Sequence, residues 1–288
     1  MSKVKILTDS TSDLNPEYLI KEDVQSIPLF IRFEEEVYKD GIDITPEELY
    51  QKVAEKKELA RSTGLRSGDF HNAFNKYIKR GYDVVYIGIG SNLSSTIQSA
   101  LIAKQELSTN QVYIIDSKTM SSGLALLVMR AVELRNEGKT GLQIKNVIDE
   151  LVQRVHFYYM ISDLDILGMG FRIKPLNLKF AKFMKTKPVV TMINNRVETV
   201  KHFVGSIEKN INNLIKLIER KTKGFHIEEL YITHSCSEEF AEMSSELMLK
   251  RLKPKKITMS HIGCVLGAQV GKNTIGVSYF LNDVQRRQ

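Results

Sequence analysis

The chain has 288 residues, 42% hydrophobic and 26% charged, enough for one large or two medium domains with a sizeable core. Its net charge is +7, yet tryptophan is absent and the basic residues, densest at 174–187 and 250–256, form no stripe with stacking aromatics, so a nucleic-acid binder is not expected. No apolar run reaches the roughly 18–20 residues of a membrane span, no signal peptide is read, and two cysteines without paired CxxC or HExxH elements argue against a disulfide scaffold or a metal site and for a cytoplasmic protein.

Taken in chain order, KVKILTD reads as a buried strand, and LNPEYLIKED as a short helix with Pro16 in its first turn. VQSIPLFIRFEEEVYKD carries the β-branched and aromatic residues of extended structure. ITPEELYQKVAEKK opens with a Thr cap and a Pro and continues at helical spacing. RSGDFHNAFNKYIKRGY is a helix stopped by Gly81, DVVYIGIG a strand, and SSTIQSALIAKQEL the helix after it. QVYIIDS is a strand, SSGLALLVMRAVELRNEG a helix stopped by Gly138, and TGLQIKNVIDELVQRV one more amphipathic helix. Strands alternating with helices predict a largely parallel, three-layer α/β domain over residues 1–155.

The remainder differs. HFYYM starts a strand, and KPVVTMINNRVETVKHF predicts a hairpin turning at Asn194-Asn195. GSIEKNINNLIKLIERKTKG is an amphipathic helix, followed by strand EELYITHSCS, helix EEFAEMSSELMLKRL, strand KKITMSHIG and a last strand TIGVSYF. This predicts a smaller α+β domain with a mixed sheet over residues 156–288.

Three hydroxyl-rich loops stand out, each just after an apolar run: ILTDSTSDL at 6–14, IGIGSNLSSTIQSA at 87–100 and IIDSKTMSSG at 114–123. In an open α/β sheet ligands bind outside the carboxyl ends of the strands. Hydroxyls beside free backbone N–H groups there suit a carboxylate or phosphate. One such loop alone is explained as a helix cap; three on successive units point to a ligand site.

With these motifs in order, the chain resembles the DegV family. LTDSTSDL is similar to the family's TDSTADL-type opening, ARSTGLRSGDF to its TSQPS-type loop, SNLSSTIQSA to its SGTYQSA segment, and VYIIDSKTMSSG to its third loop. ISDLDILGMGFRI resembles its LxxLxxGGRI stretch, and KPVVTMINNRVE its KPIL strand and hairpin. The resemblance implies a DegV-like two-domain protein that holds a long-chain fatty acid in a slot between the domains. Some such proteins deliver acyl chains to a bacterial fatty acid kinase. By position it implies that Ser62 and Thr63, with Ser94 and Ser95, hold the carboxylate, with Gln98 one turn into the next helix. It implies a monomer, no cofactor and no catalytic residues.

The departures fall near the headgroup. STGLRS lacks the family's Pro and adds Arg66. Gln269 stands where a His is usual, Lys272-Asn273 where Pro-Gly or Ser-Gly is usual, and Phe171 precedes Arg172 where a glycine is usual. The usual Arg-Thr pair after the hairpin is missing, with Thr199 the nearest match. By its position Gln269 is also implied as a ligand-binding residue, one that can hydrogen-bond but cannot carry charge. Two other readings stay open: an enzyme acting on a small phosphorylated or carboxylated metabolite by phosphoryl transfer, acyl transfer or hydrolysis, and an interaction protein that keeps the fold without lipid. No GxxxxGK[ST] or GxSxG element supports the first. Asp9 and Asp13 are expected as caps or braces, and His234-Ser235-Cys236 as strand residues without a shared catalytic geometry. The charge would also suit transient contact with an anionic membrane surface.

Overall fold

The structure, a computed structural model, describes residues 3–164 and 186–281. The part of the family-like stretch beyond residue 164, with Phe171 and Arg172, lies outside the described residues. The chain forms two compact units. The first comprises Met1–Thr45, Ala60–Gln153 and Gly263–Val265, and the second Pro46–Leu59, Arg154–Ile262 and Leu266–Gln288.

The first unit runs β1 (Lys3–Asp9), α1 (Pro16–Lys21), β2 (Gln25–Ile27), β3 (Phe30–Phe33) and β4 (Glu36–Lys39). After α2 (Pro46–Lys56), which groups with the second unit, come β5 (Arg61–Thr63), α3 (Ser67–Ile78), β6 (Tyr82–Gly88) and α4 (Thr96–Leu107). It closes with β7 (Val112–Asp116), α5 (Ser121–Asn136) and α6 (Gly141–Val152). Its main sheet is parallel throughout, in the order β2-β1-β6-β7. The central strands are buried on both faces, Ile6 and Leu7 in β1 and Val84 to Ile87 in β6, which is why they read as continuous apolar runs. The helices pack as two pairs, α3 with α4 and α5 with α6, against this sheet. α5 is buried along almost its whole circumference, as its near-continuous apolar sequence requires.

A second, three-stranded antiparallel sheet has the order β4-β3-β5. ARSTG reads as loop in the sequence, but Arg61–Thr63 is a short strand in which Ser62 pairs with Ile31 and Thr63 with Phe30. Three polar residues carry no alternating pattern; β3 supplies the ladder that makes them a strand.

The second unit contains β8 (Val155–Met160), β9 (Lys187–Ile193), β10 (Arg196–Phe203), α7 (Ile207–Lys221), β11 (Glu229–His234), α8 (Glu238–Leu252), β12 (Lys256–His261) and β13 (Ile275–Phe280). The short helix α9 (Cys264–Val270) precedes β13. Its sheet is mixed, in the order β10-β9-β8-β13-β11-β12, with only β11 and β12 parallel. The β9–β10 hairpin turns on Asn194 (φ 50°) and Asn195 (φ 59°), two left-handed residues as a type I′ turn demands. In α7 the buried residues Ile211, Leu214, Ile215 and Ile218 recur at helical spacing and enter a core with Tyr158, Val189, Leu230, Ile232 and Val277.

Candidate functional site

In the parallel sheet the chain leaves β1 towards β2 on one side, and leaves β6 towards β7 on the other. The order reverses between β1 and β6, and the crevice outside the carboxyl ends of such a pair is where open α/β sheets bind ligands. All three hydroxyl-rich loops follow β1, β6 and β7, three adjacent strands, so the topology brings them to one edge.

The loop after β1 is built on carboxylates. Asp9 is buried and accepts four hydrogen bonds: from the Thr11 N–H (3.1 Å) and the Thr11 hydroxyl on Oδ1, and from the Tyr86 hydroxyl (2.7 Å) and the Ile89 N–H (3.0 Å) on Oδ2. Asp13 sits at φ 52° and accepts from the Gly263 N–H (2.9 Å) and the Ser121 hydroxyl. Asp40, also buried, accepts from the Cys264 N–H (2.8 Å). Burial pushes all three carboxyls above their ordinary range, against the hydrogen bonds that favour ionisation. Asp13 is displaced furthest, with the charges of Asp40 and Asp9 adding to burial. Burial and the neighbouring Asp9 keep Tyr86 a neutral donor. Asp9 and Asp13 are therefore the loop braces the sequence suggested.

The loop after β6 carries the hydroxyls. Ser94 Oγ lies 2.8 Å from Thr96 Oγ1 and accepts the Thr96 N–H at 3.2 Å. Ser95 is the residue before α4, yet its side chain makes no capping bond and it is exposed. Gln98 is exposed on the first turn of α4. Two glycines allow the loops to meet. A Cβ on Gly64 would lie 3.2 Å from Thr96 Oγ1, 3.6 Å from Ser94 Oγ and 3.7 Å from Ser95 Oγ. Three hydroxyls thus converge on the backbone that follows Ser62 and Thr63, both exposed on β5. A Cβ on Gly90 would lie 2.8 and 2.9 Å from the Lys118 backbone, so the β6 and β7 loops touch there without room for a side chain. Asp116 closes that junction, accepting from the N–H groups of Ser91 (2.9 Å) and Lys118 (3.2 Å) and pairing with Lys118 Nζ (2.5 Å). Burial acts against its charge, but these bonds prevail and hold it below the ordinary carboxylate range.

Of the expected site residues, Ser62, Thr63, Ser94, Ser95 and Gln98 all belong to the first unit, and Gly64 brings their two segments together. Gln269 belongs to the second unit, half-buried in α9. Thr96 and Gly64 were missed; the signal was a glycine directly after Ser-Thr and a third hydroxyl after Ser94-Ser95. In the second unit Tyr50 Oη lies 2.5 Å from Ser235 Oγ and donates to the Gly267 carbonyl at 3.0 Å, so Ser235 is engaged structurally. Burial, then the negative charge of Glu47, pushes the Cys236 thiol up to about 12, which removes it as a nucleophile. Among the described residues, His234, Glu238 and His261 have spacing that could hold a metal ion.

A family model for uncharacterised proteins of the DegV family matches residues 3–282. The chain belongs to the DegV family. A DegV domain-containing protein of Clostridium acetobutylicum is 30% identical over 280 residues, 97% of this chain and 99% of that one. Among solved structures, a fatty-acid-binding DegV family protein from Thermus thermophilus superposes with a TM-score of 0.86 at 25% identity, covering 97% of this chain and all of that one. A DegV lipid-binding protein from Thermotoga maritima gives 0.86 at 26% identity, covering 98% and 99%. The fold is that of these DegV proteins, with a parallel sheet in one unit and a mixed sheet in the other. No helix among the described residues is long and apolar enough to cross a membrane.

Proposed function

We propose that this chain binds a long-chain fatty acid, with its carboxylate held by Ser62, Thr63, Ser94 and Ser95 and oriented by Gln98. The observation that carries this reading is the convergence of the Ser94, Ser95 and Thr96 hydroxyls within 3.2–3.7 Å of the Cβ position of Gly64. The start of α4, where Ser95 makes no side-chain cap, adds the positive end of a helix dipole. The fatty-acid and lipid binding of the Thermus and Thermotoga proteins supports the same ligand class. Each buried CH2 of such a ligand contributes roughly 0.8 kcal/mol, so the hydroxyls need only orient and satisfy the head.

The protein acts as a carrier, not a catalyst. Ser94 is paired with the Thr96 hydroxyl and N–H, neither of which takes up a proton as a general base would. A monomeric cytosolic carrier that presents the acyl head to a fatty acid kinase fits the family, and its +7 charge suits collecting the acid at an anionic membrane surface.

The test is binding of palmitate, stearate and oleate to delipidated protein, read by native mass spectrometry and calorimetry. One acyl chain per polypeptide is expected, with Ser94→Ala and Ser95→Ala each weakening affinity about 10- to 100-fold, the equivalent of about 1.5–3 kcal/mol per lost bond to a charged group. Binding of none of the three acids, or unchanged affinity in both variants, would overturn the reading.

A further inference from the structure

The two strands that run parallel in the second unit, β11 and β12, end on histidines in register: His234 pairs with His261. Partners in a parallel ladder present their side chains to the same face, and the rings stand 4.4 Å apart between centroids. The chain then turns into α8, whose first residue, Glu238, falls four positions after His234. One ligand atom from each of His234, Glu238 and His261 lies within 4.8 Å of the other two.

We propose that His234, Glu238 and His261 form a binding site for a divalent transition-metal ion, Zn2+ by its donor set. Two imidazoles and one carboxylate are a zinc ligand set with a fourth position left for water. The spacing fits an ion better than it fits the side chains alone. His261 Nε2 and Glu238 Oε1 are 3.6 Å apart, too far for a hydrogen bond. Tetrahedral bonds of roughly 2.0–2.1 Å place neighbouring ligand atoms about 3.3 Å apart. His234 is buried and fixed, whereas His261 and Glu238 are exposed and free to close the remaining distance.

The surroundings supply orientation. Glu47 Oε1 lies 4.0 Å from His261 Nδ1, on the ring edge away from Glu238. On closing to hydrogen-bond reach, that carboxylate would hold the Nδ1–H tautomer and leave the Nε2 lone pair for the metal. The Ser237 N–H reaches His234 Nδ1 across 3.3 Å, a long bond and a weak competitor for that ring's lone pair. These residues all belong to the second unit, so the site is independent of the proposed fatty-acid loops in the first.

The test uses the full chain without an affinity tag, titrated with Zn2+ against a chromophoric chelator and with Co2+ followed by its visible d–d absorption. One ion per chain is expected, with Co2+ bands of four-coordinate intensity. His261→Ala and Glu238→Gln, both at exposed side chains, should weaken Zn2+ binding by more than the roughly 10–100-fold that loss of an outer-shell partner costs; Glu47→Gln should fall within that range. Far-UV circular dichroism and fatty-acid binding of these variants are the controls, and loss of metal with fatty-acid binding intact supports the site. Stoichiometry well below one, or wild-type Zn2+ affinity in both His261→Ala and Glu238→Gln, overturns it and leaves the fatty-acid reading untouched.

Discussion

Asp9 and Asp13 are both buried, both displaced upward in pKa, and both brace the loop after β1, yet replacing each by Asn should have opposite consequences. The difference lies in who donates. Each Asp9 oxygen accepts one backbone N–H and one hydroxyl: Thr11 N–H and Oγ1 on one, Ile89 N–H and Tyr86 Oη on the other. An amide at position 9 must turn its NH2 towards one of these pairs. A hydroxyl can rotate to accept, but a backbone N–H cannot, so either orientation leaves one buried N–H facing a donor. That costs about 1–3 kcal/mol. Asp13 has its N–H partner, Gly263, on one oxygen and only a hydroxyl, Ser121, on the other. Asparagine fits there with Oδ1 towards Gly263 and Nδ2 donating to the Ser121 oxygen, and it removes a buried acid.

At about 2–4 °C per kcal/mol, Asp9→Asn should lower Tm by about 2–12 °C, whereas Asp13→Asn should hold or raise it at neutral pH. The pH dependence supplies a second readout. A carboxyl whose folded pKa lies above 3.8 keeps its proton after the unfolded chain has lost its own. Stability therefore falls as pH rises from about 4 through the raised value. Asp13→Asn should flatten that fall, measured as urea midpoints from pH 4.5 to 7.5 on delipidated protein. Equal losses from the two substitutions at neutral pH would refute the donor argument, and an unchanged pH slope in Asp13→Asn would refute the burial argument.

Other substitutions test the loops and the second unit. Gly64→Ala should fold, because the three atoms nearest its Cβ are hydroxyl oxygens at 3.2 Å or more, but fatty-acid affinity should drop in calorimetry as the methyl enters the space between them. Gly90→Ala places a Cβ under 3 Å from the Lys118 backbone and should cost about 1–3 kcal/mol in urea unfolding, since backbone cannot step aside as a side chain does. Ile215→Ala, at a fully buried position of α7, should cost about 2–5 kcal/mol in the same assay.

The legible part of this molecule was whatever has a period or a turn requirement. The parallel strands show as buried apolar runs, α7 as Ile211, Leu214, Ile215 and Ile218 on one stripe, and the hairpin as Asn194-Asn195. Beyond sequence reach were the features that depend on a distant partner. Arg61–Thr63 is a strand only because β3 lies beside it, and α2, in the middle of the first unit's sequence, groups with the second. Of the site, the hydroxyl loops could be read, because Ser and Thr after a strand are a local signal. That Gly64 is the point where Ser94, Ser95 and Thr96 converge could not, since nothing local distinguishes it from a turn glycine. The pairing of His234 with His261 required the register of two strands separated by a helix.

The three hydroxyl-rich loops look alike in sequence but have different donors left to offer. Around Asp9 the backbone N–H groups of Thr11 and Ile89 are already committed to a buried carboxyl, and Asp13 and Asp40 take those of Gly263 and Cys264. A loop that spends its N–H groups on its own acids has none for an incoming anion and would repel it wherever those acids ionise. Asp116 takes the N–H of Lys118 in its own loop and, as Asp9 does with Ile89, holds one N–H of the β6 loop, that of Ser91. The start of α4 is different: the Thr96 N–H goes to the neutral Ser94 hydroxyl, Ser95 makes no side-chain cap, and no acidic residue stands in its first turn. By donor accounting, the proposed acyl carboxylate fits the β6–α4 loop best, and the acids of the flanking loops hold that loop in shape without competing for its ligand.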